Sequence, residues 1–348
     1  MGIDWHIIIA GAIVGFTVGL TGMGGGALMT PILVIFFHID PSSAISSDLV
    51  AALVMKPVGA GVHVRRRTVR WELVSWLCIG SVPTAFAAVF LLNQLGQPEQ
   101  VAAWSKTFLG WTLLLASSAM IFKAWLQSRR SAATRARGEA PPSGGGRIDV
   151  KVLPTILIGA LGGTLVGLTS VGSGSIIIVC LMLIYPQLRG AELVGTDLVQ
   201  AIPLVAAAAL AHAIVGDFEF PLFASIMIGA LPTVYIGARL STRAPDGIIR
   251  PALVFVLLAS ALKLLDVDTY IVGWMLLAFV LVAFPLWGAV DAAAYPEALW
   301  EGSHRPRIWW IRLMTLGSLF IVGFVAAVGY FWKVRPGLSR ATKRAAAS

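Results

Sequence analysis

Charged residues are scarce in this sequence. They make up only 12% of its 348 residues, while 57% are hydrophobic, and a soluble domain has about 25% charged residues. A chain this apolar could not hide its hydrophobic surface inside a water-soluble core. The composition therefore excludes an ordinary soluble protein.

Cysteine is almost absent and histidine is rare. The two cysteines, Cys78 and Cys180, lie in separate apolar segments without a Cys-x-x-Cys pair, which excludes a disulfide framework and a cysteine-based zinc site. We expect no metal and no cofactor, and we see no convergent set of catalytic groups. No metal-ligand spacing or zincin motif links the five histidines, which are His6, His38, His63, His212 and His304.

Long apolar segments recur along the whole chain. About 20 residues of helix cross the hydrocarbon of a bilayer, and segments of this kind predict an all-α, multi-pass protein of the plasma (inner) membrane. Two further apolar elements, 5–37 and 152–185, are interrupted by glycine. The uninterrupted candidates are 46–64, 71–93, 103–127, 196–216, 220–240, 249–266, 270–290 and 308–332.

The basic residues lie mainly between these segments. The formal net charge is +9, which could suggest a nucleic-acid partner. However, basic residues at the ends of spans are typical of cytoplasmic loops, and the runs at 65–70 and 128–151 lie there. We therefore predict a lipid bilayer as the partner and no nucleic acid.

The sequence repeats itself at a spacing of 148 to 149 residues. Segment 11–21 (GAIVGFTVGLT) recurs as 159–169 (GALGGTLVGLT), with seven of eleven positions identical. Further on, Ser47-Asp48 matches Thr196-Asp197, His63 matches His212, and 80–84 (GSVPT) matches 229–233 (GALPT). The chain is therefore predicted to contain two homologous transmembrane repeats.

These matches define the predicted domains. Residues 1–127 form the first transmembrane repeat and 152–266 the second, joined by a basic cytoplasmic linker at 128–151. Residues 267–348 have no counterpart in the repeat. We predict that they form two appended transmembrane helices and a basic tail.

The glycine-broken elements leave two topologies open. If each element crosses once, each half has four spans and the halves are parallel; if each is a re-entrant hairpin, each half has three full spans and the halves are inverted. The inverted arrangement places Arg189, Arg239, Arg243 and Arg250 in the cytoplasm, as expected from loop charge, whereas the basic tail fits the parallel one. We favour inverted repeats.

The glycine clusters of the two broken elements are candidate binding turns. A helix broken inside a membrane survives only where it is buried in protein or lines a cavity, and its free N–H groups favour an anion. The alternative is close helix packing, which we assign to the upstream Gly-x-x-x-Gly positions. The candidate substrate-binding residues are Thr21, Gly24, Gly25 and Gly26 in the first turn, and Thr169, Ser170, Gly172, Ser173 and Gly174 in the second.

Four ionisable residues are candidates for ion or proton coupling. Asp48 and Asp197 either cap helices or form a coupling site, because carboxylates inside a membrane are costly and usually functional. His63 and His212 are either packed side chains or part of that site.

Lys56 has no counterpart in the repeat, because Val205 takes the equivalent position. It lies inside segment 46–64, where it could attract an anionic substrate. Alternatively, its long side chain could extend to the membrane surface.

The duplicated pattern resembles the sulfite exporter TauE/SafE family over about residues 7–266. The similarity lies in the glycine-rich turn before Pro31, the hydroxyl-rich start of the following span, the histidine at a helix end and the Gly-x-x-Pro-Thr box, all in duplicate. This resemblance implies a plasma-membrane carrier of sulfur-containing anions such as sulfite, sulfonates or thiosulfate. It also implies binding turns at Gly24–Gly26 and Gly172–Gly174, although Ser173 replaces a glycine and Val179 replaces the proline.

We therefore predict a secondary transporter that exports a small anionic solute. A carrier of another small organic acid, an accessory or sensor subunit without transport, and a membrane-embedded enzyme are the alternatives. A homo-oligomer is also compatible with the sequence.

Overall fold

The computed structural model describes residues 5–21, 26–136, 148–215, 218–240, 246–278, 281–282, 284–293, 295, 297–300, 305–319, 321–335 and 337–338. All regular secondary structure within these ranges is helical. The α-helices are α1 (Trp5–Thr21), α2 (Gly26–Phe36), α3 (Pro41–Arg65), α4 (Trp71–Leu95), α5 (Pro98–Ala136), α6 (Val152–Thr169), α7 (Ile178–Ile184), α8 (Gly190–Val215), α9 (Phe220–Leu240), α10 (Asp246–Leu264), α11 (Thr269–Ala278), α12 (Phe284–Ala293), α13 (Arg307–Leu316) and α14 (Ile321–Gly329).

Several of these helices are long and apolar enough to cross a membrane. They confirm the predicted all-helical membrane protein, because an 18-residue helix is about 27 Å long. Among the described residues the six helices of this kind are Pro41–Arg65, Trp71–Gln94, Glu99–Ala124, Val152–Thr169, Gly190–Val215 and Phe220–Gly237.

The second glycine-broken element is a helical hairpin. The backbone N–H of Lys151 donates to the Tyr185 hydroxyl oxygen at 2.9 Å, and the hydroxyls of Thr155 and Tyr185 are 2.7 Å apart. The start of α6 therefore lies beside the end of α7. The chain runs out along α6 and returns to the same side, as the re-entrant alternative requires.

The arms of the first element also run side by side in opposite directions. His6 and Ile9, near the start of α1, line the same groove as Phe36 and Phe37, which follow one another at the end of α2. Residues 22–25, which connect the arms, lie outside the described residues. The orientation of the two halves relative to each other in the membrane stays a prediction.

Glycines bring helices of the two halves into close contact. Helix α1 packs along α9, and α6 packs along α4. A Cβ added to Gly11 would lie 2.7 Å from the carbonyl oxygen of Ile226, and one added to Gly159 would overlap the carbonyl oxygen of Leu77. Real Cβ atoms do not approach oxygens so closely, so a larger residue would push these helices apart.

The centre of this helix assembly is the crossing of α3 and α8. Ile45 and Leu49 from α3 pack against Leu204 and Val205 from α8 in one buried cluster. Both predicted coupling carboxylates, Asp48 and Asp197, belong to these two helices. The crossing therefore places the two aspartates in the interior of the protein.

The chain divides into two units, which we describe separately. Residues Met1–Thr242 and Ser260–Asp266 form the first, and Arg243–Ala259 and Val267–Ser348 form the second. The second unit has its own buried core around Phe284, Tyr330 and Phe331. Within it, the Tyr330 hydroxyl and Arg335 Nε each donate to Asp291 Oδ2 at 2.9 Å.

The predicted span at 308–332 is not one continuous helix. Helix α13 ends at Leu316 and α14 begins at Ile321, and the rings of Trp310 and Tyr330 lie 6.1 Å apart, so the two helices fold back on each other. The turn is allowed because Gly317 and Gly323 let the backbones touch. The predicted span at 270–290 contains α11 and the start of α12, and residues 279–280 and 283 between them lie outside the described residues.

Candidate functional site

Asp48 and Asp197 lie well inside their helices. Helix α3 begins at Pro41, and its N-cap is Asp40, whose Oδ1 accepts from the Ser42 backbone N–H at 2.9 Å. Helix α8 begins at Gly190, two turns before Asp197. The helix-capping interpretation of both aspartates is therefore wrong, because a capping residue must stand at the helix start.

The Asp48 carboxylate connects the two helical hairpins. Its Oδ2 accepts from the Thr30 hydroxyl of α2 at 2.7 Å and from the Ser170 hydroxyl after α6 at 2.8 Å. The other oxygen, Oδ1, is buried without a hydrogen-bond partner among the described residues, as is the hydroxyl of Ser47. An unpartnered buried oxygen is costly, so this side of Asp48 has room for a partner that the described residues do not supply.

The second helix break has an unusual backbone. After α6 ends at Thr169, Ser170 takes a left-handed conformation with φ of 60°, and Gly172 has φ of 121°. A π-helical turn then runs from Ser173 to Ile177 and continues directly into α7. The predicted turn residue Gly172 thus adopts a conformation that favours glycine, and Gly174 lies in the first turn of the returning arm.

Lys56 from the first half reaches this break in the second half. Its Nζ donates to the Ser173 hydroxyl at 2.9 Å, and the lysine is only 7% exposed. The side chain therefore does not extend to the membrane surface, as the alternative interpretation required. The contact places a cation beside the start of a helix, where N–H groups lack helical acceptors.

Asp197 lies in a different polar environment. Its Oδ1 lies 3.5 Å from Gln200 Nε2, and the Gln200 side-chain oxygen accepts from the Ser81 hydroxyl at 3.2 Å. Two cations, Lys56 and Lys123, interact electrostatically with its carboxylate. Lys56 also interacts with Asp48 and is therefore shared between the two aspartates.

The predicted site residues are brought together only in part. Asp48, Lys56, Asp197, Ser170 and Ser173 are linked by the contacts above. The Thr169 hydroxyl donates to the Leu165 carbonyl oxygen at 2.6 Å and so belongs to its own helix. Gly24 and Gly25 lie outside the described residues, as do the side chain of Thr21 and any contact of Gly26.

The two repeat-equivalent histidines contact other groups. His63, at the end of α3, has its Nδ1 2.9 Å from the Thr68 hydroxyl. His212 is buried, with its Nε2 3.0 Å from the Gly167 carbonyl oxygen. These contacts fit the interpretation of packed, hydrogen-bonded side chains, and a coupling role for the histidines stays a prediction.

An ion-pair cluster lies at the start of α8. Glu192 is 3% exposed, and its Oε1 is 2.6 Å from Arg70 Nη2; its Oε2 accepts from the Arg189 backbone N–H at 3.0 Å. In addition, the backbone N–H of Arg70 donates to the Thr196 hydroxyl at 3.1 Å. The cluster therefore links Arg70, which precedes α4 in the first half, to α8 in the second half.

We expect Glu192→Ala to destabilise the protein by about 2 kcal/mol, between the values for exposed and fully buried pairs. The substitution removes the carboxylate that contacts the Arg70 guanidinium and the Arg189 backbone N–H. The measurement is the thermal unfolding midpoint in detergent. The control is Lys106→Met, because Lys106 pairs with Asp266 at the surface, with side chains 38% and 79% exposed. Equal shifts for the two variants would contradict the expected difference.

Sequence reasoning missed four residues of these polar clusters. Thr30 and Gln200 are uncharged residues inside apolar segments, where a single hydroxyl or amide carries no pattern. Lys123 lies in the predicted span 103–127, and Glu192 in a predicted loop. Lys123 and Glu192 could have been found because a charged residue inside or next to a predicted span is usually functional.

Comparisons with known proteins agree with this architecture. The chain matches the sulfite exporter TauE/SafE family over residues 7–264. It is 35% identical over 263 residues to the probable membrane transporter protein YjnA of Bacillus subtilis (strain 168), covering 74% of this chain and 98% of that protein.

A second relative, the probable membrane transporter protein YdhB of the same organism, is 24% identical over 256 residues, covering 71% of this chain and 94% of that protein. No solved structure matches the chain. The resemblance inferred from the repeated motifs is confirmed, and residues 265–348 lie outside the matched region. The chain is therefore a multi-pass membrane transporter that belongs to the sulfite exporter TauE/SafE family.

Proposed function

We propose that this chain is a secondary transporter of the plasma (inner) membrane that exports a small sulfur-containing anion, such as sulfite, a sulfonate or thiosulfate. The anion binds beside Lys56, between the two helix breaks. The family supplies the substrate class, because its description names sulfite. The contacts of the described residues support the position of the site.

The hydrogen bond from Lys56 to Ser173 is the observation that carries this proposal. An ammonium group has three donors, and the 2.9 Å contact with Ser173 occupies one of them. The remaining donors, the Ser173 hydroxyl and the N–H groups of the helix that begins there can all bind oxygens of an anion. Sulfur oxyanions and sulfonates present several such oxygens on one small group.

Packing between the halves supports a two-fold internal repeat, and the hairpin form of the broken elements favours its inverted version. Helix α1 packs on α9 and α6 packs on α4, and the repeat makes α1 equivalent to α6 and α4 equivalent to α9. Exchanging the two halves therefore converts one contact into the other, as a two-fold axis would. In transporters built this way, substrate binds at the repeat interface and the halves move to expose it on either side.

The test is transport by the purified full-length protein in liposomes. Vesicles are loaded with sulfite, thiosulfate, isethionate, sulfate or acetate, and efflux of each anion is followed. We expect saturable efflux of at least one of the first three, and none in empty liposomes.

Efflux of acetate alone would favour the organic-acid alternative. If no anion of the panel moves, the proposed substrate class is wrong. A deletion strain that becomes sensitive to the same anion would establish export as the direction in the cell.

A further inference from the structure

We propose that the C-terminal hairpin enters only the cytoplasmic leaflet of the membrane, and that the cations at its open end bind the headgroups of anionic phospholipids. The C-terminal hairpin consists of α13, α14 and the π-helical turn Tyr330–Val334 that continues α14. It lies outside the region that matches the transporter family. The inference concerns this added part of the chain and does not depend on the proposed substrate.

The two ends of the C-terminal hairpin lie together. The ring of Trp310, in the first turn of α13, lies 6.1 Å from the ring of Tyr330, which follows α14. Arg335, the residue after the π-helical turn, donates through its Nε to Asp291 Oδ2 at 2.9 Å. Asp291 belongs to the last turn of α12. The chain therefore returns at residue 335 to the place where α12 ended.

The arms of the hairpin are too short to cross a bilayer. Helix α13 has 10 residues, and at 1.5 Å per residue it is about 15 Å long. The returning arm runs from Ile321 to Val334 and is about 20 Å long by the same measure. The hydrocarbon region of a bilayer is about 30 Å thick, so the length of the hairpin fits a single leaflet.

The exposed side chains change in character along the hairpin. Near its tip they are apolar, namely Leu316, Val322 and Val325. Towards the open end they are Arg305, Trp309, Arg312, Trp332 and Lys333. Apolar side chains favour hydrocarbon, whereas tryptophan and basic residues favour the membrane–water interface. The tip is therefore suited to the hydrocarbon and the open end to the headgroups.

The cations of the open end are placed for contact with a charged surface. The guanidinium of Arg305 lies 5.1 Å from the ring centre of Trp309, which holds this cation beside an interfacial side chain. Arg312 lies further along α13, and its long side chain can extend back towards the headgroups. Both arms thus present basic groups at the same depth.

The charge of this region has one sign. Residues 302–348 contain no Asp or Glu, and their basic residues are Arg305, Arg307, Arg312, Lys333, Arg335, Arg340, Lys343 and Arg344. Arg307 and Arg335 each have a carboxylate partner, whereas Arg312 and Lys333 form no ion pair with any of the described residues. Such an excess of basic residues is typical of the cytoplasmic side.

Anionic phospholipids account for both properties of the hairpin. Clusters of basic residues next to a membrane attract anionic headgroups, which supply the acceptors that Arg312 and Lys333 lack. The acyl chains of the same lipids cover the apolar tip. A nucleic acid would satisfy the cations but would leave the exposed valines and leucine in water.

This position also changes what the basic tail says about topology. If segment 308–332 crossed the membrane, inverted halves would place the tail outside. With the hairpin in one leaflet, the tail stays on the side of segment 291–307, which is cytoplasmic in the inverted arrangement. The charge of the tail then no longer favours parallel halves.

The first experiment determines the side on which each end of the hairpin lies. Ser303→Cys, before α13, and Ser348→Cys, at the end of the sequence, are made separately in the full-length protein carrying Cys78→Ser and Cys180→Ser. A membrane-impermeant maleimide is added to inside-out and to right-side-out membrane vesicles. We expect both cysteines to be labelled only in inside-out vesicles. Labelling from opposite sides, or of both only in right-side-out vesicles, would overturn the proposal.

The second experiment measures lipid binding at the hairpin itself. Hydrogen exchange of peptides from 305–316 is followed in the full-length protein in nanodiscs of phosphatidylcholine, with and without phosphatidylglycerol. We expect phosphatidylglycerol to slow the exchange. In Arg312→Gln/Lys333→Gln this response should be nearly lost, because each basic residue near an anionic surface strengthens binding about fivefold, or about 30-fold for two.

Arg66→Gln/Arg67→Gln is the matched control, because it removes the same number of exposed positive charges from another loop. The hairpin of this control should respond to phosphatidylglycerol as the wild type does. Equal exchange in the two lipids, a response kept by Arg312→Gln/Lys333→Gln, or a response lost equally in the control would overturn lipid binding at the hairpin.

Inorganic phosphate distinguishes a headgroup from a soluble anion. Added to phosphatidylcholine nanodiscs, it should not slow the exchange, and slowing equal to that by phosphatidylglycerol would overturn the assignment to lipid. None of these measurements uses anion flux. Their failure would therefore leave the proposed transport intact, and failure of the transport assay would leave the lipid contact intact.

Discussion

Replacing Lys56 with methionine should lower anion flux by about a hundredfold, since removing one member of a buried charge pair costs about 2–5 kcal/mol. Methionine has nearly the length of lysine and packs well in irregular spaces, so the change removes the charge more than the volume. The loss follows because Lys56, which is 7% exposed, holds the Ser173 hydroxyl at the helix break. The measurement is the initial rate of efflux from liposomes at matched protein content.

Lys106→Met is the appropriate control for this variant. It removes the same functional group from a surface pair with Asp266, and we expect wild-type flux. Lys56→Arg should retain part of the activity, because the charge remains while the planar guanidinium fits a point-charge position poorly. Full flux in Lys56→Met would show that the anion does not bind at this lysine.

Alanine at Gly172 should abolish most transport, with a local cost of about 1–3 kcal/mol for the left-handed backbone. Gly172 has φ of 121°, and an added Cβ would lie 3.3 Å from Ile176 Cδ1. The backbone would relax toward helical geometry and move Ser173 away from Lys56. The measurements are efflux from liposomes and the elution profile of the detergent-solubilised protein.

Gly61→Ala makes the same chemical change at a matched control position. Gly61 lies inside α3, and a Cβ there would meet nothing within 4 Å. In a helix, alanine is favoured over glycine by about 1 kcal/mol, so this variant should be as active as the wild type and slightly more stable. Equal flux in both variants would mean that the conformation of the break is not needed.

The spans and the family could be predicted from the sequence because both depend on local or repeated patterns. Apolar segments of about 20 residues follow from bilayer thickness, and the match of 11–21 to 159–169 needs no knowledge of the fold. The hairpin form of the second broken element was one of two alternatives. The hydrogen bonds between Lys151 and Tyr185 show that the chain turns back there.

The contacts of the candidate site could not be predicted, because they join distant parts of the chain. Lys56 and Ser173 are separated by 117 positions, and Asp48 and Ser170 by 122. Sequence reasoning identified these four residues separately but could not pair them. Thr30 and Gln200 were missed altogether, since one polar group in an apolar segment has no periodicity.

The region after residue 266 shows a different limit. Hydropathy predicts a single span over 308–332, but α13 and α14 fold back on each other where Gly317 and Gly323 meet. Mean hydropathy is the same for a spanning helix and for two short helices packed together. Without a repeated copy for comparison, the glycines were the only sign of the turn.

The single lysine has a consequence for the energetics of the transport cycle. In a carrier with two identical inverted halves, a two-fold rotation would convert the inward-open state into the outward-open state, and the two would have equal free energies. Lys56 contacts the second break, whereas Val205 occupies the equivalent position of the other half. The free energies of the two states should therefore differ. The empty carrier should rest mainly in one state and show different KM values at its two faces. Because no net flux occurs at equilibrium, the ratio of maximal rate to KM must be the same at both faces. The face with the higher KM must therefore also have the higher maximal rate.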